Sequence, residues 1–268
     1  MPGYYKMHLD ETLNKGIYDG QVQSLDFLNY VSTTAQDGWN VGDTVVLPDG
    51  REFRHALSNG AGVIEPDEGC HFTDTGYVSY TAFAVAASVG EREITIPAAT
   101  HATLTKDALR GGYVIVFNGS ADDDCTYGIV GNDAAAANAL FKVKLDRGVN
   151  PAIVAATSAA EVYINPWSAL SQASSDVLPY CGCAVRKVSA AANYFWVQTK
   201  GIKFVSPQSG VGADNGGLMA HWRHDGSLQK GETAIGGTVP AGDTNQPAGI
   251  VIAGSQSGNG PLVNLLGY

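Results

Sequence analysis

The chain has 268 residues, of which 44% are hydrophobic, so it can bury a sizeable core and is not intrinsically disordered. Its net charge is −10, and its 16 basic residues are scattered, which excludes a general nucleic-acid binder relying on clustered Lys and Arg. Only 16% of residues are charged, against about 25% in ordinary soluble domains, so part of the surface is expected to be covered by something else. The 33 glycines have no three-residue period, which excludes a collagen-like chain. No run approaches the ~20 apolar residues of a membrane span, so no membrane partner is expected. The start, Met1-Pro2-Gly3-Tyr4-Tyr5-Lys6, lacks the apolar segment of a secretory signal. A chain made in a cytoplasm is expected, with its four cysteines initially reduced.

Residues 1–43 are polar and turn-rich with sparse apolar positions, and read as an extended N-terminal arm with at most one short helix or strand. Order begins at Thr44-Val45-Val46-Leu47-Pro48-Asp49-Gly50-Arg51-Glu52-Phe53-Arg54. Asp-Gly between two β-prone runs predicts a hairpin with a type I′ turn, and Pro48 belongs at an edge or strand end. Residues 56–76 read as irregular because turn clusters interrupt them.

Strands are then predicted at Tyr77–Val85, Arg92–Ile96, Tyr113–Phe117, Tyr127–Val130, Phe141–Leu145, Ala152–Ala155 and Glu161–Ile164. They continue at Cys183–Val188, Tyr194–Thr199, Ile202–Val205, Thr233–Ile235, Gly249–Ala253 and Leu262–Leu265. Helix signals are thin: Asp133–Leu140 is either two turns of helix or a loop, and Lys106–Arg110 is a short turn ended by Gly111-Gly112. Short strands separated by Gly, Asn, Asp and Pro predict an all-β fold, a barrel or sandwich of antiparallel strands. The expected organisation is an arm at 1–43, a main β domain at 44–206 and a C-terminal β element at 207–268 packed on it. The Gly- and Ser-rich stretch 207–217 serves as loop or hinge between the last two.

Several residue groups could carry chemistry. Cys181-Gly182-Cys183 with Cys70-His71 could hold a zinc ion, but the thiols, Cys125 included, read better as reduced core residues. If Cys181 and Cys183 lie on one strand, their spacing points both to the same side. His221-Trp222-Arg223-His224-Asp225 lies among glycines and reads as a surface loop suited to a subunit contact rather than a metal site. Asp122-Asp123-Asp124 lacks the alternating carboxylates of a calcium loop and reads as a solvated turn. Gly60-Ala61-Gly62 is a bare Gly-x-Gly without the rest of a nucleotide fingerprint. Asn118-Gly119-Ser120 matches a glycosylation sequon but has no secretory context. The closest approach to a basic patch is Arg186-Lys187 with Lys200 and Lys203. No acid–base pair or nucleophile triad stands out, so no catalytic, cofactor-binding or metal-binding residue is assigned and no cofactor or enzymatic activity is expected.

Two stretches carry a family resemblance: Val45-Val46-Leu47-Pro48-Asp49-Gly50-Arg51-Glu52-Phe53-Arg54-His55-Ala56 and Ala191-Ala192-Asn193-Tyr194-Phe195-Trp196-Val197-Gln198-Thr199-Lys200-Gly201. Between them lies Gly111-Gly112-Tyr113-Val114-Ile115-Val116-Phe117-Asn118-Gly119. In this order, over roughly residues 44–266, the chain resembles virion proteins of tailed bacteriophages encoded near the major capsid protein, the capsid decoration or cement proteins. The resemblance implies a structural protein of the outer capsid surface, partnered by the major capsid protein and by itself as a homotrimer. It transfers no catalytic residue. Tyr194-Phe195-Trp196 places bulky side chains on both faces of one strand, so cover is expected on both sides, from a neighbouring subunit or from a loop. The alternative reading is a head-fibre or tail protein that binds host-surface glycans by stacking sugars on Trp39, Trp167 and Trp222.

Overall fold

The structure, a computed structural model, describes residues 5–9, 16–19, 26–47, 49–73, 76–119, 124–172, 178–207, 211, 219–230, 243–254 and 261–267. The described residues are nearly all β, in two curled antiparallel sheets, each shaped as a half-barrel. The chain divides into two compact units. Of the described residues, those between 76 and 166 form one, and those up to 73 together with those from 167 onward form the other.

The strands in chain order are β1 (Tyr5–Leu9), β2 (Gly16–Asp19), β3 (Val31–Ser32), β4 (Thr44–Val46), β5 (Glu52–Leu57) and β6 (Gly69–Phe72). Next come β7 (Gly76–Ala82), β8 (Glu93–Ile96), β9 (Tyr113–Phe117), β10 (Cys125–Asn132), β11 (Phe141–Leu145) and β12 (Ala159–Tyr163). The last are β13 (Leu170–Ser171), β14 (Tyr180–Ala184), β15 (Tyr194–Phe204), β16 (Met219–Arg223), β17 (Leu228–Lys230), β18 (Asp243–Ala253) and β19 (Leu262–Leu266).

The unit built on residues 74–166 is a six-stranded sheet in the order β7-β12-β9-β10-β11-β8. Strict alternation drives it. In β11, Phe141, Val143 and Leu145 point inward, while Lys142 and Lys144 face water. Ile94 and Ile96 of β8, Val114 and Val116 of β9, and Tyr127 and Ile129 of β10 complete the core. Asn132 ties the loop before β9 to the sheet: its carbonyl accepts the Leu109 N–H, and its amide donates to the Thr105 and Asp133 carbonyls.

The other unit is a sheet with the path β17-β16-β18-β19-β15-β5-β4-β1-β2, from which β3, β6, β13 and β14 branch. β14 is buried at all five positions, because it pairs with β15 and β6 and has a core on either side. Trp196 of β15 packs on Leu28, Val45, Leu47 and Phe53, and its indole N–H donates to Gln36 at 2.8 Å. Phe195 and Val197 point to the opposite core with Ala56 and Leu170.

Several expectations need correction. Residues 26–43 are not an extended arm: Phe27 and Trp39 close over Trp196, with ring centroids at 5.2 and 4.7 Å. The two-sided cover expected for Tyr194-Phe195-Trp196 therefore comes from the chain itself. The compact units do not follow divisions at 43/44 and 206/207, since β1 pairs with β4 across the first and β19 with β15 across the second. The 44–54 hairpin forms as β4 and β5, but Leu47 N–H donates to the Arg51 carbonyl, and among the described residues of the turn only Gly50 has positive φ, at 85°. Three residues therefore lie in the turn, which is not type I′. Asp49 holds it by accepting from the Arg51 backbone and guanidinium.

Within 56–76, read as irregular, Gly69–Phe72 is a strand. Ala152–Ala155 is a turn with one bridge from Ile153 to Ala87, and Asp133–Leu140 is a loop. The runs at 194–199 and 202–205 form one strand, joined through Gly201 at φ 88°. Thr233–Ile235, Pro48, Asp122, Asp123, Ser120, most of 207–217 and most of the first 25 residues lie outside the described residues. Among the described residues no helix is long and apolar enough to cross a membrane.

Candidate functional site

The register of four neighbouring strands creates a two-faced surface. On the inner side Val205, Ala220, Trp222, Val251, Val263 and Leu265 form one buried cluster. Period-two alternation then fixes the outer side. Ile202 of β15 lies opposite Asn264 of β19, Asn264 opposite Ile250 of β18, and Ile250 opposite Met219 of β16. A second row sets Phe204 opposite Leu262, with Ile252 and Ala253 at a register shift beside them. Leu266 continues the outer side next to Lys200.

All these positions are exposed, the large apolar ones from 37% at Leu262 to 53% at Ile252. Summed over these exposed side chains, the face presents on the order of 600 Å² of apolar surface, the upper end of the roughly 300–600 Å² that the largest patch of an ordinary monomer reaches, a patch that is often functional. Gly249 lets the strands approach: a Cβ there would meet the Asn264 carbonyl oxygen at 2.3 Å. His221 and Pro247 lie opposite each other along the rim. Burial lowers the His221 pKa, so its imidazole favours the neutral form.

The cysteines fall into separate environments. Cys70 and Cys181 have their sulfurs 3.7 Å apart, each thiol donating to a main-chain carbonyl, of Gly182 and Cys70 respectively. They belong to one core, whereas Cys183 belongs to the other. Equal direction for Cys181 and Cys183 fails because β14 shifts register between Tyr180 and Gly182, and Gly182 sits at φ 145°. Burial pushes the Cys181 and Cys183 thiols well up, so both favour the protonated form. His71 packs edge-on to Tyr180, its Nδ1 3.1 Å from the Phe72 carbonyl, and burial lowers its pKa. Among the described residues no group of three or more His, Cys, Asp or Glu is placed to hold a metal ion.

The pentapeptide 221–225 is the end of β16 and its turn, not a free loop. Trp222 is a core residue stacked on Tyr180, and Asp225 accepts from Ser227 and pairs with Arg223. Burial alone would raise the Asp225 carboxyl, but the Ser227 hydrogen bonds and Arg223 charge outweigh it and hold it low. Asp124 accepts the Asn118 N–H at 3.1 Å. Gly60-Ala61-Gly62 is a turn in which Asn59 accepts the Ala61 N–H. The basic residues serve local contacts: Lys187 pairs with Glu65, and Lys203 donates to the Ala184 carbonyl.

The three tryptophans proposed as sugar platforms are engaged internally. Trp222 is 1% and Trp167 8% exposed, with the Arg54 guanidinium 5.1 Å over the Trp167 ring, and Trp39 stacks on Phe27. The outer face went unread in the sequence, although its signal is present. Gly249-Ile250-Val251-Ile252-Ala253 and Leu262-Val263-Asn264-Leu265-Leu266 carry apolar residues at both parities, the mark of a strand covered on both sides.

Comparison of the chain with protein-family models, curated proteins and solved structures finds no match.

Proposed function

We propose that the chain is a structural virion protein that decorates a bacteriophage head. It binds as an oligomer, expected to be a homotrimer, between major capsid subunits on the outer surface. It acts by contact and not by catalysis. The observation that carries this reading is the apolar outer face of β15, β19, β18 and β16, a contiguous surface suited to contact with another protein. The resemblance of 45–56, 111–119 and 191–201 to decoration proteins supports it, as does the net charge of −10, which suits a surface away from packaged DNA.

The magnitudes agree with such a role. Burying about 600 Å² at ~25 cal/mol per Å² gives a gross gain of about 15 kcal/mol per chain. Lost translational and rotational freedom takes ~4–15 kcal/mol of it, so one contact is modest. An oligomer held together through such a contact presents several chains to the shell at once, and that multivalency supplies avidity. With Trp167 and Trp222 buried, the glycan-binding alternative loses two of its three proposed platforms.

The test is binding of purified protein to expanded heads that lack it, from the phage encoding it. Expected are saturable uptake at a fixed number of copies per head and a higher temperature for DNA release. Heads that neither take up the protein nor gain stability would refute the proposal.

A further inference from the structure

The outer face of β15, β19, β18 and β16 has a polar residue at its centre. Asn264 lies between Ile202 on one side and Ile250 on the other, with Met219 beyond, and the row carries no charge. The row above it, Phe204 and Leu262, is also uncharged. Lys200, opposite Leu266, marks one end.

We propose that a second copy of this chain covers this face, in a closed oligomer whose symmetry axis passes close to Asn264. The inference rests on reading the face as a contact surface and adds which partner occupies it. Three features favour a copy of the same chain over a different protein.

Area comes first. On the order of 600 Å² of apolar surface, extended by Asn264, Pro247 and His221 at the rim, approaches the roughly 800 Å² per partner of a specific interface. Charge comes second. Chains of net charge −10 repel one another, and a self-contact must be made where both sides are neutral, as these two rows are. The third feature is chemical. Closed cyclic symmetry brings identical side chains together at the axis. A residue there must complement itself, and the Asn amide both donates and accepts. Two or three Asn264 side chains can therefore satisfy one another inside an apolar ring, whereas a lone buried amide would be costly. A single buried Asn has the further effect of fixing register, as it does in coiled coils.

The experiment is sedimentation equilibrium of the full chain across the micromolar range, with two variants, followed by binding of each to expanded heads. The wild type is expected at a multiple of 28.0 kDa. Ile250→Asp is expected at a single chain mass with unchanged far-ultraviolet circular dichroism. Asn264→Asp, nearly isosteric, sets like charges together at the axis and is expected to weaken association about tenfold or more at neutral pH. Asn264→Gln keeps donor and acceptor and is expected to retain the oligomer. Should Ile250→Asp fail to fold, the two Asn264 variants still decide.

A wild type of single chain mass throughout would overturn the inference, as would an oligomer indifferent to both acidic variants. Head binding separates this outcome from the proposed function. A monomeric wild type that binds heads, and loses binding through Ile250→Asp, assigns the face to the capsid and refutes the self-contact alone. An oligomer that responds to the variants but ignores heads refutes the decoration role alone.

Discussion

β11 and β19 are both five-residue strands with alternating burial, yet their outer sides differ. β11 points Phe141, Val143 and Leu145 inward and lysines outward, with Lys142 paired to Glu93 at 2.7 Å. β19 points Val263 and Leu265 inward and Leu262, Asn264 and Leu266 outward. The inner faces obey the same rule, so both strands fold for the same reason: apolar burial on one side of a pleat. Only the outer chemistry separates a surface suited to water from one suited to another protein. Folding does not require outer leucines, and under the proposed function they serve contact with another protein.

The largest effect expected from this contrast lies beneath the faces. Trp196→Ala removes the ring that Leu28, Val45, Phe53 and Trp39 pack on, and should cost about 3–5 kcal/mol. Hydrogen exchange should show lost protection in residues 26–47 with β11 unchanged, because the β11 side chains belong to a separate core. Equal loss in both units would break the division.

Cysteine reactivity should divide the units next. Cys125 is partly exposed, whereas Cys70, Cys181 and Cys183 are buried, the last two with thiols held protonated by burial. Maleimide labelling of native protein should modify Cys125 alone, and all four cysteines after denaturation. Early labelling at Cys181 would contradict the packing around β14.

A smaller effect is pH dependence through His71. Its pKa is lowered in the folded state, chiefly by burial, so the unfolded chain binds a proton first as pH falls. Its stabilising effect is present above about pH 6.5, the ordinary His value, and is lost as pH falls below it toward the folded value. Glu68 has the opposite sign, since burial and the nearby Asp67, Asp225 and Glu65 charges raise its pKa. Its contribution is present below the unfolded value of 4.5 and is lost as pH rises through the folded value. His221, also lowered by burial, acts in the same direction as His71, so the two histidines outweigh the single Glu68 and urea midpoints should fall from pH 7 to pH 5.5, with His71→Leu flattening that fall. An unchanged slope in the variant would assign the dependence elsewhere.

The smallest change in stability, and the sharpest test of the comparison, is to make the outer side of β11 resemble that of β19. Lys142→Leu with Lys144→Leu loses one solvent-exposed ion pair, and the change in stability is expected to be small. The same pair of changes should produce concentration-dependent association visible by light scattering. A double variant that stays as dispersed as the wild type would mean that outer leucines alone do not make a contact surface.

Much of the fold was legible because alternation is local. Phe141-Lys142-Val143-Lys144-Leu145 and Arg92-Glu93-Ile94-Thr95-Ile96 state their inner and outer sides in five residues. What failed depends on partners distant in sequence. Gly69–Phe72 has too few residues to announce a strand and exists because β13 and β14 pair with it. Phe27 and Trp39 look like scattered apolar residues until Trp196, more than 150 positions later, gives them a surface. The direction of Cys183 depends on one register shift, which no spacing rule contains. The outer face was legible in principle, but apolar residues at both parities do not say whether a loop or another protein supplies the cover.

The most direct test of the proposed function is a density map of the phage particle whose genome encodes this chain. Expected is the chain repeated over the outer shell beside the major capsid protein, with Ile202, Ile250 and Leu262 buried against a neighbouring protein surface. A chain found only in the tail or inside the head, or an outer copy whose β15, β19, β18 and β16 face lies open to solvent, would contradict it.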